Sequence, residues 1–226
     1  MNSRLLCAAV AALAIGVVSA SSADASFALK LTNGASTVTI YDNAAGDTIG
    51  SLGVINYSGA IGDYTLTVTS TYSKPYDGSA AIPVMSMTVS AKYSGTGNGD
   101  LTVEMTDTDF GPSSNPMGAD LAINSAKSTT GAVTYDAYID LGNGEFVKTT
   151  QIGSTLGGSG IFDAEGAGSV ATNGAYSLTL VTTINSTAAN QTSNFDASFT
   201  VPEPATMVVW SALGLVGFAV YRRRQA

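Results

Sequence analysis

The sequence predicts an all-β fold, an antiparallel β-sandwich of jelly-roll type, and three observations carry that expectation. Apolar residues recur with a period of two along most of the chain, as strands with one buried and one solvated face require. Thr and Ser crowd the intervening positions and suit an exposed strand face. No window between the two ends of the chain carries an amphipathic helix.

The first element is a targeting segment. Arg4 supplies a positive charge, residues 5–20 form an apolar run, and Ala23-Asp24-Ala25 follows as a small-residue cleavage pattern. These are the parts of a secretory signal peptide over residues 1–25, cut between Ala25 and Ser26, with a cut after Ala20 as the alternative. Cys7, the only cysteine of the 226 residues, leaves with it. The mature chain then has no thiol for a disulfide, a nucleophile or a metal.

The strands follow in order over residues 26–200. Phe27, Leu29 and Leu31 open the alternation, then Val38 and Ile40, then Tyr64, Leu66 and Val68. Met85, Met87, Val89, Ala91 and Tyr93 continue it, followed by Leu101, Val103 and Met105. Val133, Tyr135, Ala137, Ile139 and Leu141 come next, and then Tyr176, Leu178, Leu180, Thr182 and Ile184. Phe195, Ala197, Phe199 and Val201 close the series. Asn98-Gly99 and Asn143-Gly144 suit positive φ and predict hairpin connections. Lys74-Pro75-Tyr76-Asp77-Gly78 predicts a turn. Residues 153–168 are rich in Gly and Ser but contain Ile161-Phe162, which predicts short edge strands and loops. About nine to eleven strands result, enough for two packed sheets. A β-helix is the other architecture such strands build, and the lack of a regular repeat disfavours it.

A domain of this length buries roughly 70% of its extended-chain surface and needs no staple. Its basic residues are Lys30, Lys74, Lys92, Lys127 and Lys148 against fifteen acidic ones, a net charge of −10. Phosphate binding needs a basic face, so nucleic acid is not an expected partner. The chain has no histidine, which removes Ser-His-Asp and Cys-His catalysis and imidazole metal sites. No enzyme activity and no cofactor are expected.

The densest set of oxygen ligands is Glu104, Asp107 and Asp109, with Gly111 and Asn115 after them. Calcium takes carboxylate and carbonyl oxygens, and a loop of this kind can offer several, which makes these residues the metal candidate. The spacing departs from the EF-hand loop, and acidic residues at a strand exit commonly serve as solvated turn formers. Fifteen carboxylates make a pair suited to glycoside hydrolysis uninformative by itself. Tyr57, Tyr72, Tyr76 and Tyr93 are candidate sugar platforms, because the only Trp, Trp210, lies in the C-terminal apolar stretch. Asn56, Asn185 and Asn190 match the N-x-[ST] pattern, as chance alone allows in a chain so rich in Ser and Thr.

The last element is Val201-Pro202-Glu203-Pro204, an uncharged and mostly apolar stretch over residues 205–221, then Arg222, Arg223 and Arg224. Seventeen residues at about 1.5 Å rise span roughly 25 Å, the short end of what a bilayer core accepts as a transmembrane helix. The arginines snorkel to the headgroups and stay cytoplasmic. A terminal Pro-Glu-Pro, one short hydrophobic helix and a closing Arg cluster resemble the PEP-CTERM sorting signal, over residues 201–226. That resemblance implies processing by an exosortase, a membrane-embedded Cys protease-transpeptidase of bacteria that make exopolysaccharide. Three further segments are similar to domains found upstream of such signals: residues 61–69 followed by 73–75, residues 101–103 leading to 106–110, and residues 174–179. They imply a secreted β domain without an assigned activity. The expected function is therefore that of an exported surface or matrix protein with a structural or adhesive role. The alternative is a carbohydrate-binding module that engages exopolysaccharide.

Overall fold

The computed structural model describes residues 26–111, 117–128 and 131–201. Thirteen strands run through them in sequence order: β1 (Phe27–Asn33), β2 (Ser36–Tyr41), β3 (Val54–Asn56), β4 (Gly59–Ile61), β5 (Tyr64–Tyr72), β6 (Val84–Tyr93), β7 (Gly99–Phe110), β8 (Met117–Ser128), β9 (Ala132–Asp140), β10 (Thr150–Ser159), β11 (Phe162–Val170), β12 (Tyr176–Ser186) and β13 (Thr192–Thr200). They form two antiparallel sheets, ordered β10-β9-β12-β7-β1-β2 and β11-β8-β13-β6-β5-β3, with β4 beside β5. The all-β sandwich predicted from the alternation is thus the observed architecture. Among the described residues no helix is long and apolar enough to cross a membrane. The signal peptide with its cut at Ala25, the Pro202-Glu203-Pro204 motif, the membrane stretch and Arg222, Arg223 and Arg224 all lie outside the described residues.

Why these strands pair this way follows from parity. In β7, Leu101, Val103 and Met105 are buried and face β12 residues Ile184, Thr182 and Leu180 across the register. In β6, Met85, Met87, Val89 and Ala91 do the same opposite Phe199, Ala197, Phe195 and Ser193 of β13. Both rows meet between the sheets, and each large apolar side chain there contributes roughly 1.5–3 kcal/mol by leaving water. The core also takes four tyrosines, Tyr64, Tyr93, Tyr135 and Tyr176. A buried hydroxyl needs a partner. Tyr135 Oη, from β9, donates to the Ser198 carbonyl of the opposite sheet at 3.0 Å, and Tyr64 Oη donates to the Gly99 carbonyl at 2.8 Å.

The pairs β6 with β13, β7 with β12, β8 with β11 and β9 with β10 are nested, so residues 84–200 form one long ribbon rolled up on itself. Strands β1 and β2 extend one sheet of the roll, and β3 to β5 extend the other.

The observed elements differ from the expected ones at four places. Thirteen strands replace about nine to eleven, because β3 and β4 are only three residues long and β8 carries no strong alternation. Asn98-Gly99 is not a hairpin: it leads from β6 in one sheet to β7 in the other. Asn143-Gly144 does lie in the connection between the paired strands β9 and β10, with Asn143 at φ 60°. Residues 153–168 form long edge strands, not short ones. Glycine lets those two edges approach: a Cβ on Gly168 of β11 would sit 2.5 Å from Gly153 N of β10. Finally, β5 shifts register between Leu66 and Val68, and beyond the shift Thr69 and Thr71 are buried.

Both ends of the fold leave from one end of the sandwich. Ser26 N donates to Thr108 Oγ1 at 2.9 Å, near the C-terminal end of β7, and Val201 N donates to the Pro83 carbonyl at 3.0 Å, beside the start of β6. Ser73, at the exit of β5, joins those two regions through Asp107. We call this end the base.

Candidate functional site

Glu104, Asp107 and Asp109 all lie on β7, and the structure does not bring them together. A separation of three residues along a strand sends two side chains to opposite faces. Asp107 follows Leu101, Val103 and Met105 into the interior, where it is fully buried. There Ser73 Oγ donates to its Oδ2 at 2.6 Å and Lys74 Nζ to its Oδ1 at 2.7 Å. Lys74 Nζ also donates to the Thr108 carbonyl and lies 4.1 Å from the centroid of the Phe110 ring. Burial pushes the Asp107 carboxyl up to about 6, against the pull of Lys74 and Ser73. This cluster ties the exit of β5 in one sheet to β7 in the other.

Glu104 points out of the opposite face. It is nearly buried and ion-paired with both Lys30 of β1 and Lys148 of the loop between β9 and β10. That loop, residues 141–149, folds over the sheet and is tied down along its length. Phe146 N donates to Thr106 Oγ1 at 3.2 Å, and Ser177 Oγ donates to the Gly144 carbonyl at 2.7 Å. Phe146 presents its ring to Lys30 Nζ at 4.2 Å. Asp109 belongs to the same loop system: its N–H donates to Asn143 Oδ1 at 2.8 Å, and Asn143 Nδ2 returns a bond to Asp109 Oδ1 at 2.7 Å. Asp140 holds the loop root, accepting from Thr149 Oγ1 at 2.6 Å and Gly144 N at 2.9 Å, and these bonds lower its carboxyl below the ordinary range. The three calcium candidates therefore serve two unrelated polar clusters. Among the described residues no three His, Cys, Asp or Glu side chains gather in a metal-binding group.

The tyrosines separate as well. Tyr93 is buried against Tyr64, with ring centroids 4.9 Å apart, and Tyr57 packs partly buried on the core. Only Tyr72 and Tyr76 form an accessible pair, at 5.4 Å, near the base.

A concave feature lies on the outer face of β8, β11 and β13. This depression, about 590 Å³ in volume, is lined by Asp120, Ala122, Glu165, Ala167, Ser198 and Thr200 together with the backbone around Leu121 and Gly166. Register explains it: Ala122 pairs with Glu165 and Ser198, and Asp120 with Ala167 and Thr200, so all six side chains share one face. Ala122 and Ala167 keep the floor low, while two carboxylates and two hydroxyls stand around it. Such a surface can accept hydrogen bonds from a polyol lying flat on the sheet. The sequence reading missed it because β8 was not expected. The alternation of Asp163 and Glu165 with small residues in β11 was the available signal.

No family model matches the chain, and no curated protein matches it. Among solved structures, the enzymatically active domain of bacteriophage CBA120 tailspike protein 4 is similar at 12% identity and a TM-score of 0.32, over 62% of this chain. The chain spans 19% of the length of that tailspike domain. TmCBM61, solved in complex with beta-1,4-galactotriose, is similar at 6% identity and a TM-score of 0.31, over 64% of this chain and 91% of its own. Likenesses of this size fix neither a ligand nor an activity for the chain.

Proposed function

We propose that the chain is an exported, non-enzymatic protein of the cell surface or extracellular matrix, built on a jelly-roll sandwich and sorted through its PEP-CTERM tail. Its processing partner is an exosortase, which meets Pro202-Glu203-Pro204 while residues 205–221 hold the chain in the membrane. The observation that supports this best is the shared exit of Ser26 and Val201 at the base. The sorting motif then follows the last strand with no intervening linker, and the sheets project away from the point of attachment. Replacing Pro202, Glu203 and Pro204 with Ala in an exosortase-positive strain is expected to leave export intact and to accumulate a membrane-bound precursor. Normal processing of that variant contradicts the proposal.

The depression on β8, β11 and β13 favours a second reading, a carbohydrate-binding module for exopolysaccharide. Its two carboxylates and the net charge of −10 over residues 26–200 disfavour polyanionic chains and suit a neutral or amino-bearing glycan. Under this reading the chain is retained on such a polysaccharide, and the Asp120→Ala, Glu165→Ala double variant is not. Equal retention of both, or of neither, removes it.

A further inference from the structure

Six large hydrophobic residues are well exposed among the described residues: Tyr41, Leu52, Tyr76, Leu141, Val147 and Ile161. Scattered singly over a surface, such residues are ordinary; a shared location is what carries information. Five of the six lie at the base. Tyr41 ends β2 opposite Ala28, at the start of β1. Leu141 follows β9 directly, and Val147 packs beside Gly144 in the loop after it. Leu52 precedes Gly53, whose carbonyl accepts from Ser73 N, and Tyr76 lies in the loop that Ser73 opens. Only Ile161 sits at the far end, at the tip between β10 and β11, near the pair Ser159 and Ala132.

We infer that the base is a membrane-docking surface, seated on the lipid headgroups of the bilayer that residues 205–221 enter. The inference rests on the anchor reading proposed above. Val201 is the last described residue, and the apolar stretch begins at Ala205, four steps on. Four residues extend at most about 14 Å. The headgroup layer on one side of a bilayer is about 5–8 Å thick, so the base cannot lift clear of it by more than about 10 Å. Aromatic and aliphatic side chains at that depth are favoured at the membrane–water boundary, where tyrosine keeps its hydroxyl wet and buries its ring. Held this close, the five exposed apolar side chains at the base gain by contact, while the polar groups among them, such as Glu145 beside Tyr41, stay at headgroup level.

The test uses the chain reconstituted in phosphatidylcholine vesicles with brominated acyl chains. Trp210 is the only tryptophan, so the unchanged chain reports insertion of the anchor. In a Trp210→Phe background, Leu52→Trp and Tyr76→Trp each report the base, and Ile161→Trp reports the far end. All three positions are more than 60% exposed, so the substitutions leave the fold unburdened. Expected are quenching by bromolipid and a blue shift for Leu52→Trp and Tyr76→Trp, with neither for Ile161→Trp, which aqueous iodide quenches instead. Quenching of Trp210 with Leu52→Trp and Tyr76→Trp as water-exposed as Ile161→Trp overturns the docking and leaves the anchor. No quenching of Trp210 removes the anchor, and the docking with it.

Discussion

Asp107 is a carboxylate aimed into a protein interior by the same parity that buries Leu101, Val103 and Met105. That much is legible in the sequence, since residues 101, 103, 105 and 107 share a face of any strand long enough to hold them. The sequence reading ended the strand at Met105 and took the acidic residues after it for an exit turn, whereas β7 runs on to Phe110. What lies opposite was not legible, because Ser73 and Lys74 arrive from the other sheet. The consequence is a pH dependence of known sign. Asp107 has a folded pKa of about 6, raised above its ordinary 3.8 by burial, so the native state binds the proton more tightly than the unfolded chain. Its contribution to stability is full below about pH 4 and is lost as pH rises through about 6, a swing of about 3 kcal/mol. Asp140, lowered by its hydrogen bonds, acts with the opposite sign and loses its contribution as pH falls through its folded pKa. Urea unfolding of the chain and of Asp107→Asn between pH 4 and pH 7 measures the difference; it is expected to shrink in the unchanged chain's disfavour as pH rises. A difference that is constant, or that grows in its favour, contradicts the burial described. Thr69 offers a second check. Its Oγ1 is buried without a hydrogen-bond partner, so Thr69→Val is expected to stabilise by about 1 kcal/mol in the same assay.

At the scale of elements, the strands that were easiest to find are those with strong alternation on one buried face, such as β6, β7, β9, β12 and β13. The strands that were missed or shortened give a weaker signal: β3 and β4 are three residues long, β8 lacks strong alternation, and β10 and β11 are rich in glycine. In β11 the inward side alternates Phe162, Ala164, Gly166 and Gly168, and β10 contributes Gly153, Gly157 and Gly158. Hydrophobicity marks β10 and β11 weakly, because their glycines let two sheet edges close on one another while Ile152 and Leu156 alone carry β10 into the core. The bulge in β5 hid a second boundary of the same kind, since one inserted residue moves the buried positions from Leu66 to Thr69 without any change of composition. Substitution separates close approach from mere flexibility. Gly168→Val places side-chain atoms against the backbone of Gly153 and is expected to cost about 3 kcal/mol or more. Gly97→Ala meets nothing within 4 Å and needs no positive φ, so it is expected to be neutral or slightly stabilising. Thermal unfolding of the two variants distinguishes them, and equal effects would mean the edges are not in contact.

Across the whole molecule, the rolled ribbon brings residues 73–76, 107–111, 140–149 and 201 to one end, although they are far apart in sequence. That gathering was beyond the reach of the sequence, which shows each segment alone. It is also what gives the described fold its polarity: Ser26, Val201 and five exposed hydrophobic residues at the base, and the outer faces of both sheets directed along the flanks. Under the proposed function the tail over residues 201–226 is central, because what happens at Pro202-Glu203-Pro204 then decides whether the sandwich stays at the membrane. Mass spectrometry of the mature C-terminus, in an exosortase-positive strain and in its exosortase deletion, tests this most directly. The expected result is a C-terminus within or next to Pro202-Glu203-Pro204 in the first strain and an uncut tail in the second. Ala226 intact on the mature protein in both strains would contradict it and reduce the tail to an ordinary anchor.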